Sequence, residues 1–135
     1  MTPEQAILAA TALHAGFQLV VTIVVYPALA DVPADRWATA HDAHSRRILY
    51  VVVLVYAAVA GACLWVLSSG PRSPATLVAV AGSAVAAATT ALVAAPLHGR
   101  LGREGRSASL VKRLLLADRV RLAATIVAGV AALLA

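Results

Sequence analysis

The chain has 135 residues, of which 61% are apolar and 13% charged, and its mean hydropathy is +0.87. Soluble domains carry about 25% charged residues, and a chain this short cannot hide so much apolar surface inside itself. These figures exclude a soluble globular domain, a disordered tail and a disulfide scaffold. One cysteine, Cys63, can form no internal bridge.

A bilayer core of about 30 Å takes about 20 apolar residues as a helix. Four segments reach that length, which predicts one all-α transmembrane domain over residues 1–135: an integral membrane four-helix bundle with both termini on the same side. The first helix is expected over 5–30. Met1–Gln5 holds no basic residue, and the apolar stretch exceeds the roughly 7–15 residues of a signal peptide, so Ala28-Leu29-Ala30 reads as helix rather than cleavage box. Asp31-Val32-Pro33 makes the turn. The second helix is expected over 35–68, with its apolar run from Ile48 to Leu67, and Ser68 to Pro74 form a turn cluster. The third is expected over 74–98, closed by Pro96, Gly99, Gly102 and Gly105. The fourth is expected over 109–135, and its first half is charged. The sequence shows no defensible internal repeat, although the two helical pairs have a loose likeness. Gly82 with Ala86, and Ala57 with Gly61, are spaced for close backbone approach. Cys63 reads as an inert small residue.

The formal charge is +5. Arg36, Arg46, Arg47, Arg100, Arg103, Arg106, Lys112 and Arg113 fall at one end of this arrangement, and Arg72 at the other. Positive loops stay inside, so the expectation is a multi-pass plasma-membrane protein with both termini outside and the basic loops cytoplasmic. A basic surface poor in aromatics suits anionic lipid head groups and does not suit nucleic acid.

Ionisable groups inside a membrane are costly, so each one asks for a reason. His14 lies mid-span on a face shared with Thr11, Gln18 and Thr22. His41 and His44, three residues apart, share a helix face that is expected to continue through Ile48, Val51 and Val55 into the bundle. His98 follows Pro96 and returns to the same level. Asp118, Arg121 and Thr125 share a face of the fourth helix, Arg47 is a second partner for Asp118, and helix one adds Tyr26 beside Pro27. His14 lies roughly 20 Å deeper by the helical rise.

Two chemistries follow. His41, His44, His98 and Asp118 are the donor types of a divalent transition metal. Arg47 and Arg121, with Tyr26, His14 and Gln18, suit instead a small lipophilic or anionic ligand, because cations beside a metal repel it. Haem would need two histidines facing each other, and the depths of His14 and His98 disfavour that. No phosphate loop, nucleophile elbow or HExxH motif is present. The expected function is ligand or metal binding at the cytoplasmic end, with an oxidoreductase among the readings. The alternatives are a structural or assembly protein and a subunit of a homo-oligomeric transporter.

The runs Val24-Val25-Tyr26-Pro27-Ala28-Leu29, His41-Asp42-Ala43-His44-Ser45-Arg46-Arg47-Ile48 and Pro96-Leu97-His98-Gly99-Arg100-Leu101, with Leu110 to Arg121, resemble a family of small four-helix bacterial integral membrane proteins. The last helix of that family tends to begin Asn-Trp-x-Arg-Thr. Here Asp118 stands for the Asn, Arg119 for the Trp and Leu122 for the Thr, while Arg121 keeps the Arg. The resemblance implies the four-helix architecture. A more distant topological likeness is to the anthrone-oxygenase-like membrane proteins, which would imply oxygenation of lipophilic polyketides.

Overall fold

The computed structural model describes residues 1–135 and contains helices and turns but no strand. It has four helices: α1 (Pro3–Ala30), α2 (Trp37–Ser69), α3 (Pro74–Glu104) and α4 (Ala108–Leu133). The first three are long and apolar enough to cross a membrane. Charges in its first half keep α4 out of that class.

The helix starts follow local chemistry. Thr2 Oγ accepts the Gln5 amide at 3.3 Å while Gln5 Oε1 accepts the Thr2 amide at 2.9 Å, closing a capping box ahead of Pro3. Ser73 Oγ accepts the Thr76 amide at 3.1 Å, again before a proline. The third helix does not end at residue 98 as its Pro and Gly content suggests. It runs on to Glu104 and stops at Gly105, whose φ of +82° favours glycine.

The reason lies one turn before the proline. Pro96 has no amide hydrogen, and its ring would strike the carbonyl four residues back in a regular helix. A π-helical turn, Thr90–Ala94, widens the backbone at that point, so the Ala95 amide bonds to Thr90 O five residues back. The same device precedes Pro27: Val21–Val25 form a π-helical turn, and the Tyr26 amide bonds to Val21 O. The chain thus crosses both prolines without losing its helical direction.

α4 packs against both α1 and α3, and α1 packs against α2, whereas α2 and α3 touch sparsely. The α3–α4 approach depends on Gly82, where a Cβ would fall 2.9 Å from Ala124 O and 3.1 Å from Ala128 Cβ. Gly61 has open space around it, and Ala57 and Gly61 are both exposed, so that pair makes no helix interface within the chain. One apolar core joins Ala6 and Ile7 to Val66, Ala79, Ala131 and Ala132 near the termini. A second joins Tyr26, Leu29, Trp37, Leu97, Leu101 and Leu114 at the opposite end. Trp37 Nε1 donates to Leu101 O at 3.2 Å, which ties the start of α2 to the extended end of α3.

The surface is inverted relative to a soluble protein. Large apolar side chains such as Ile23, Val24, Val53, Leu54, Leu92 and Val130 stand exposed, while Thr11, His14, Gln18, His41, Ser83, Asp118, Arg121 and Thr125 are buried.

Candidate functional site

The polar interior begins with an ion pair. Asp118 Oδ1 accepts Arg121 Nη2 at 2.8 Å and Gln18 Nε2 at 2.6 Å, and both charged residues are within 4% of complete burial. One turn of α4 separates them, so the helix itself fixes the pair. The side chain of Arg121 also donates to Tyr26 Oη at 3.1 Å and to Thr90 Oγ1 at 3.4 Å. Thr90 sits in the π-helical turn of α3 and hydrogen-bonds Tyr56 of α2. Arg121 thereby joins all four helices through one guanidinium, directly to α1 and α3 and through Thr90 to α2. That is the fork geometry that distinguishes arginine from lysine.

A histidine cluster continues from Tyr26. Tyr26 Oη lies 3.1 Å from His98 Nε2, and His98 Nδ1 lies 3.2 Å from His41 Nε2. His98 stacks between His41 and His44, with ring centroids 5.4 and 5.7 Å away, and the Trp37 ring stacks on His41 at 5.2 Å. The helix beyond Pro96 is what carries His98 onto this stack.

Of the expected site residues, Tyr26, His41, His44, His98, Asp118 and Arg121 converge, and Gln18 joins them through Asp118. Arg47 does not: it is exposed on the outer face of α2, and Arg121 takes the role of partner to Asp118. The inward face of α2 runs through His41, Ile48, Val52, Val55 and Tyr56, and Val51 is exposed. The four expected metal donors do not form one set, because Asp118 is committed to Arg121 and Gln18. No group of three or more His, Cys, Asp or Glu is arranged to hold a metal ion. His14 is buried with its ring 4.7 Å from that of Tyr56 in an edge contact, and Nε2 has no partner. Its neighbours Thr11 and Thr22 donate to Ile7 O and Gln18 O of their own helix, so this face presents no free hydroxyl row. Tyr56 and Thr90 were not marked by the sequence, since an isolated Tyr or Thr in an apolar span has no distinguishing spacing.

A cavity of about 190 Å³ opens beside the cluster. It lies where α2 and α3 fail to meet, walled by Phe17, Val21, Ile48, Leu49, Val52 and Ala94, with Tyr26, His44, Ser45, Thr90, His98 and Arg121 supplying the polar groups. Past Tyr56, whose hydroxyl bridges to Thr90 of α3, a separate second cavity of about 290 Å³ lies between α2 and α3, lined by Val59, Cys63, Leu64, Val80 and Ser83 among others. Buried polar atoms ordinarily find partners. Five here have none, and three of them, His44 Nε2, Ser45 Oγ and Arg121 Nε, belong to residues that line the first cavity.

No protein-family model, no curated protein and no solved structure matches the chain.

Proposed function

We propose that this chain is an integral membrane four-helix bundle, with both termini on one side and the basic loops cytoplasmic, that binds a small lipophilic molecule with a hydrogen-bonding head. The inverted surface supports insertion: exposed apolar side chains suit hydrocarbon, and buried polar ones satisfy each other. α4 enters because its charges at 118 and 121 are paired inside. The basic end holds Arg36, Arg46, Arg47, Arg100, Arg103 and Arg106, which favours the cytoplasmic leaflet and its anionic head groups.

One observation carries the binding reading: three of the residues that line a single apolar-walled cavity, His44, Ser45 and Arg121, each hold a buried polar atom without a partner. A pocket mostly apolar with a few aimed polar groups is the usual form of a small-molecule site. The ligand's character follows from the charges. Asp118 already neutralises Arg121, so the cavity has little net pull on an anion. Arg121 Nε and Ser45 Oγ can each donate, which suits a carbonyl or hydroxyl oxygen on a neutral head. The apolar walls Phe17, Val21, Ile48 and Val52 suit an apolar body on the ligand, and the sparse α2–α3 contact lets the molecule enter sideways from the bilayer.

The test is the inventory of small molecules carried by tag-free protein extracted in mild detergent, read by native mass spectrometry. Ala95 stands exposed at the cavity rim, so Ala95→Trp blocks the cavity without disturbing the buried cluster. The expected result is a lipophile on the wild type that is lost from the variant at unchanged thermal stability. Equal loading of both proteins, or a wild type that carries nothing and takes up no added lipophilic quinone or phenol, would refute the reading.

A further inference from the structure

His98 faces two different spaces. On one side is the apolar cavity already described. On the other is a polar vestibule of about 440 Å³ at the basic end, formed by Ala38, His41, Asp42, Ser45, His98, Gly99 and Gly102. The wall between them is a hydrogen-bonded file: His41 Nε2 to His98 Nδ1 at 3.2 Å, then His98 Nε2 to Tyr26 Oη at 3.1 Å. Both nitrogens of His98 are used, one on each side. A neutral imidazole has one N–H and one lone pair, so His98 must accept at one end of the file and donate at the other. That is the requirement for passing a proton through a ring.

We propose that His41, His98 and Tyr26 form a proton relay between the vestibule and the cavity. The inference rests on the cavity being a ligand site for what the relay delivers, but the relay itself works with the cavity empty. In the inward direction His41 Nε2–H donates to His98 Nδ1, and His98 Nε2–H donates to Tyr26 Oη. Tyr26 Oη also accepts from Arg121 Nη2. With both its lone pairs engaged, the hydroxyl hydrogen is left to point into the cavity. When the ligand head takes that hydrogen, the His98 Nε2 proton moves to Tyr26 Oη. The His41 Nε2 proton moves to His98 Nδ1, and water in the vestibule protonates His41 at Nδ1. One proton enters, one leaves, and each group ends neutral in its other tautomer. Rotation of the hydroxyl and tautomer exchange reset the file, and the opposite sequence removes a proton from the head.

The surroundings support transit. Space is left at the vestibule edge of His41, because a Cβ on Gly102 would still lie 3.6 Å from His41 Cε1 and 3.8 Å from its Nδ1. Arg121 beside Tyr26 stabilises a transient phenolate, and the ring stack of Trp37, His41 and His98 holds the two imidazoles in place. The other charged and titratable groups facing the file are Asp42, His44 and Tyr56 on α2 and Asp118 on α4. The ligand head this implies is one that gains or loses a proton as it reacts, such as a phenol or quinol.

The test is water exchange at individual ring protons, with the full chain carrying ¹⁵N-histidine and labelled tyrosine in lipid nanodiscs. Magnetisation transfer from water is read at the His98 imidazole and the Tyr26 hydroxyl. In His41→Phe, exchange at both sites is expected to slow at least tenfold, and added imidazole is expected to restore it. Restoration is a response that a merely structural role of His41 would not give. If His41→Phe fails to fold, His41→Gln takes its place: its amide keeps a hydrogen bond to His98 but cannot hand a proton along it, so the same slowing is expected. Unchanged exchange at Tyr26 in the variant overturns the relay, because water would then be reaching Tyr26 from the cavity. That outcome is separate from failure of the binding reading, which is decided by the lipophile lost or kept in Ala95→Trp.

Discussion

Removing Asp118 isolates the interaction that holds the interior together. In Asp118→Ala, Arg121 stays buried and charged while its 2.8 Å partner disappears, and Gln18 loses its 2.6 Å acceptor. Two effects compete for the magnitude. Interhelical hydrogen bonds in membranes are worth about 0.6 kcal/mol each on average, so losing the Gln18 bond alone would be a small change. Breaking a buried ion pair by deleting one partner costs about 3–5 kcal/mol, because the survivor remains uncompensated. The ionic term should therefore dominate. Adding Arg121→Met to Asp118→Ala removes the stranded charge, so the double variant should recover at least about 2 kcal/mol relative to additivity. Unfolding by SDS titration from mixed micelles, followed by Trp fluorescence, gives the four stabilities of the cycle. Trp37 reports on it because its ring stacks on His41 at the edge of the cluster. An Asp118→Ala protein within about 1 kcal/mol of wild type, or an additive double variant, would mean that the pair is not the buried unit described here.

The same titration checks packing and the periphery. Gly82→Leu should cost about 1–3 kcal/mol, since even its Cβ would meet Ala124 O at 2.9 Å. Gly61→Ala, in open space, should stay within about 0.5 kcal/mol of wild type. Arg47→Ala should change neither stability nor lipophile loading, because that side chain is exposed and Asp118 is already paired. Metal analysis of tag-free protein should return less than one ion per chain, as no three donors converge.

The helices were legible because hydrocarbon demands long apolar runs, and Ala6–Ala30, Ile48–Leu67 and Ala75–Leu97 supply them without ambiguity. The convergence of Tyr26, His41, His44, His98, Asp118 and Arg121 was legible for a related reason, since polar groups in apolar spans have nowhere else to go. What could not be read was pairing within that cluster. Arg47 and Arg121 look alike in sequence, and only the phase of each helix separates exposed from buried. Gly61 and Gly82 differ in the same way. The course of α3 past Pro96 was hidden as well. Pro and three glycines ordinarily end a helix, and the π-helical turn that carries the chain through leaves no simple mark in the residues.

That turn is open to a direct test. A π-helical turn holds one more residue than an α turn, and a regular α-helix of the same sequence would rotate everything past Ala94 by about 100°. His98 would then leave both Tyr26 and His41. Pro96 is one reason for the wide turn, but the packing of Leu97 and Leu101 is another, and emptying a packed leucine site costs about 2–5 kcal/mol against about 1 kcal/mol for a regained backbone bond. Packing should win, so Pro96→Ala is expected to keep the wide turn and the His98–Tyr26 contact. Deleting Val93, which is exposed, should instead force a regular turn onto Pro96, at about 3 kcal/mol. Combining the deletion with Pro96→Ala should recover most of that loss, since a regular helix one residue shorter preserves the facing of both flanks. Amide and imidazole NMR in nanodiscs reads the register of α3 in each variant. If Pro96→Ala alone turns His98 out of the stack, the proline rather than the apolar core is what sets the site.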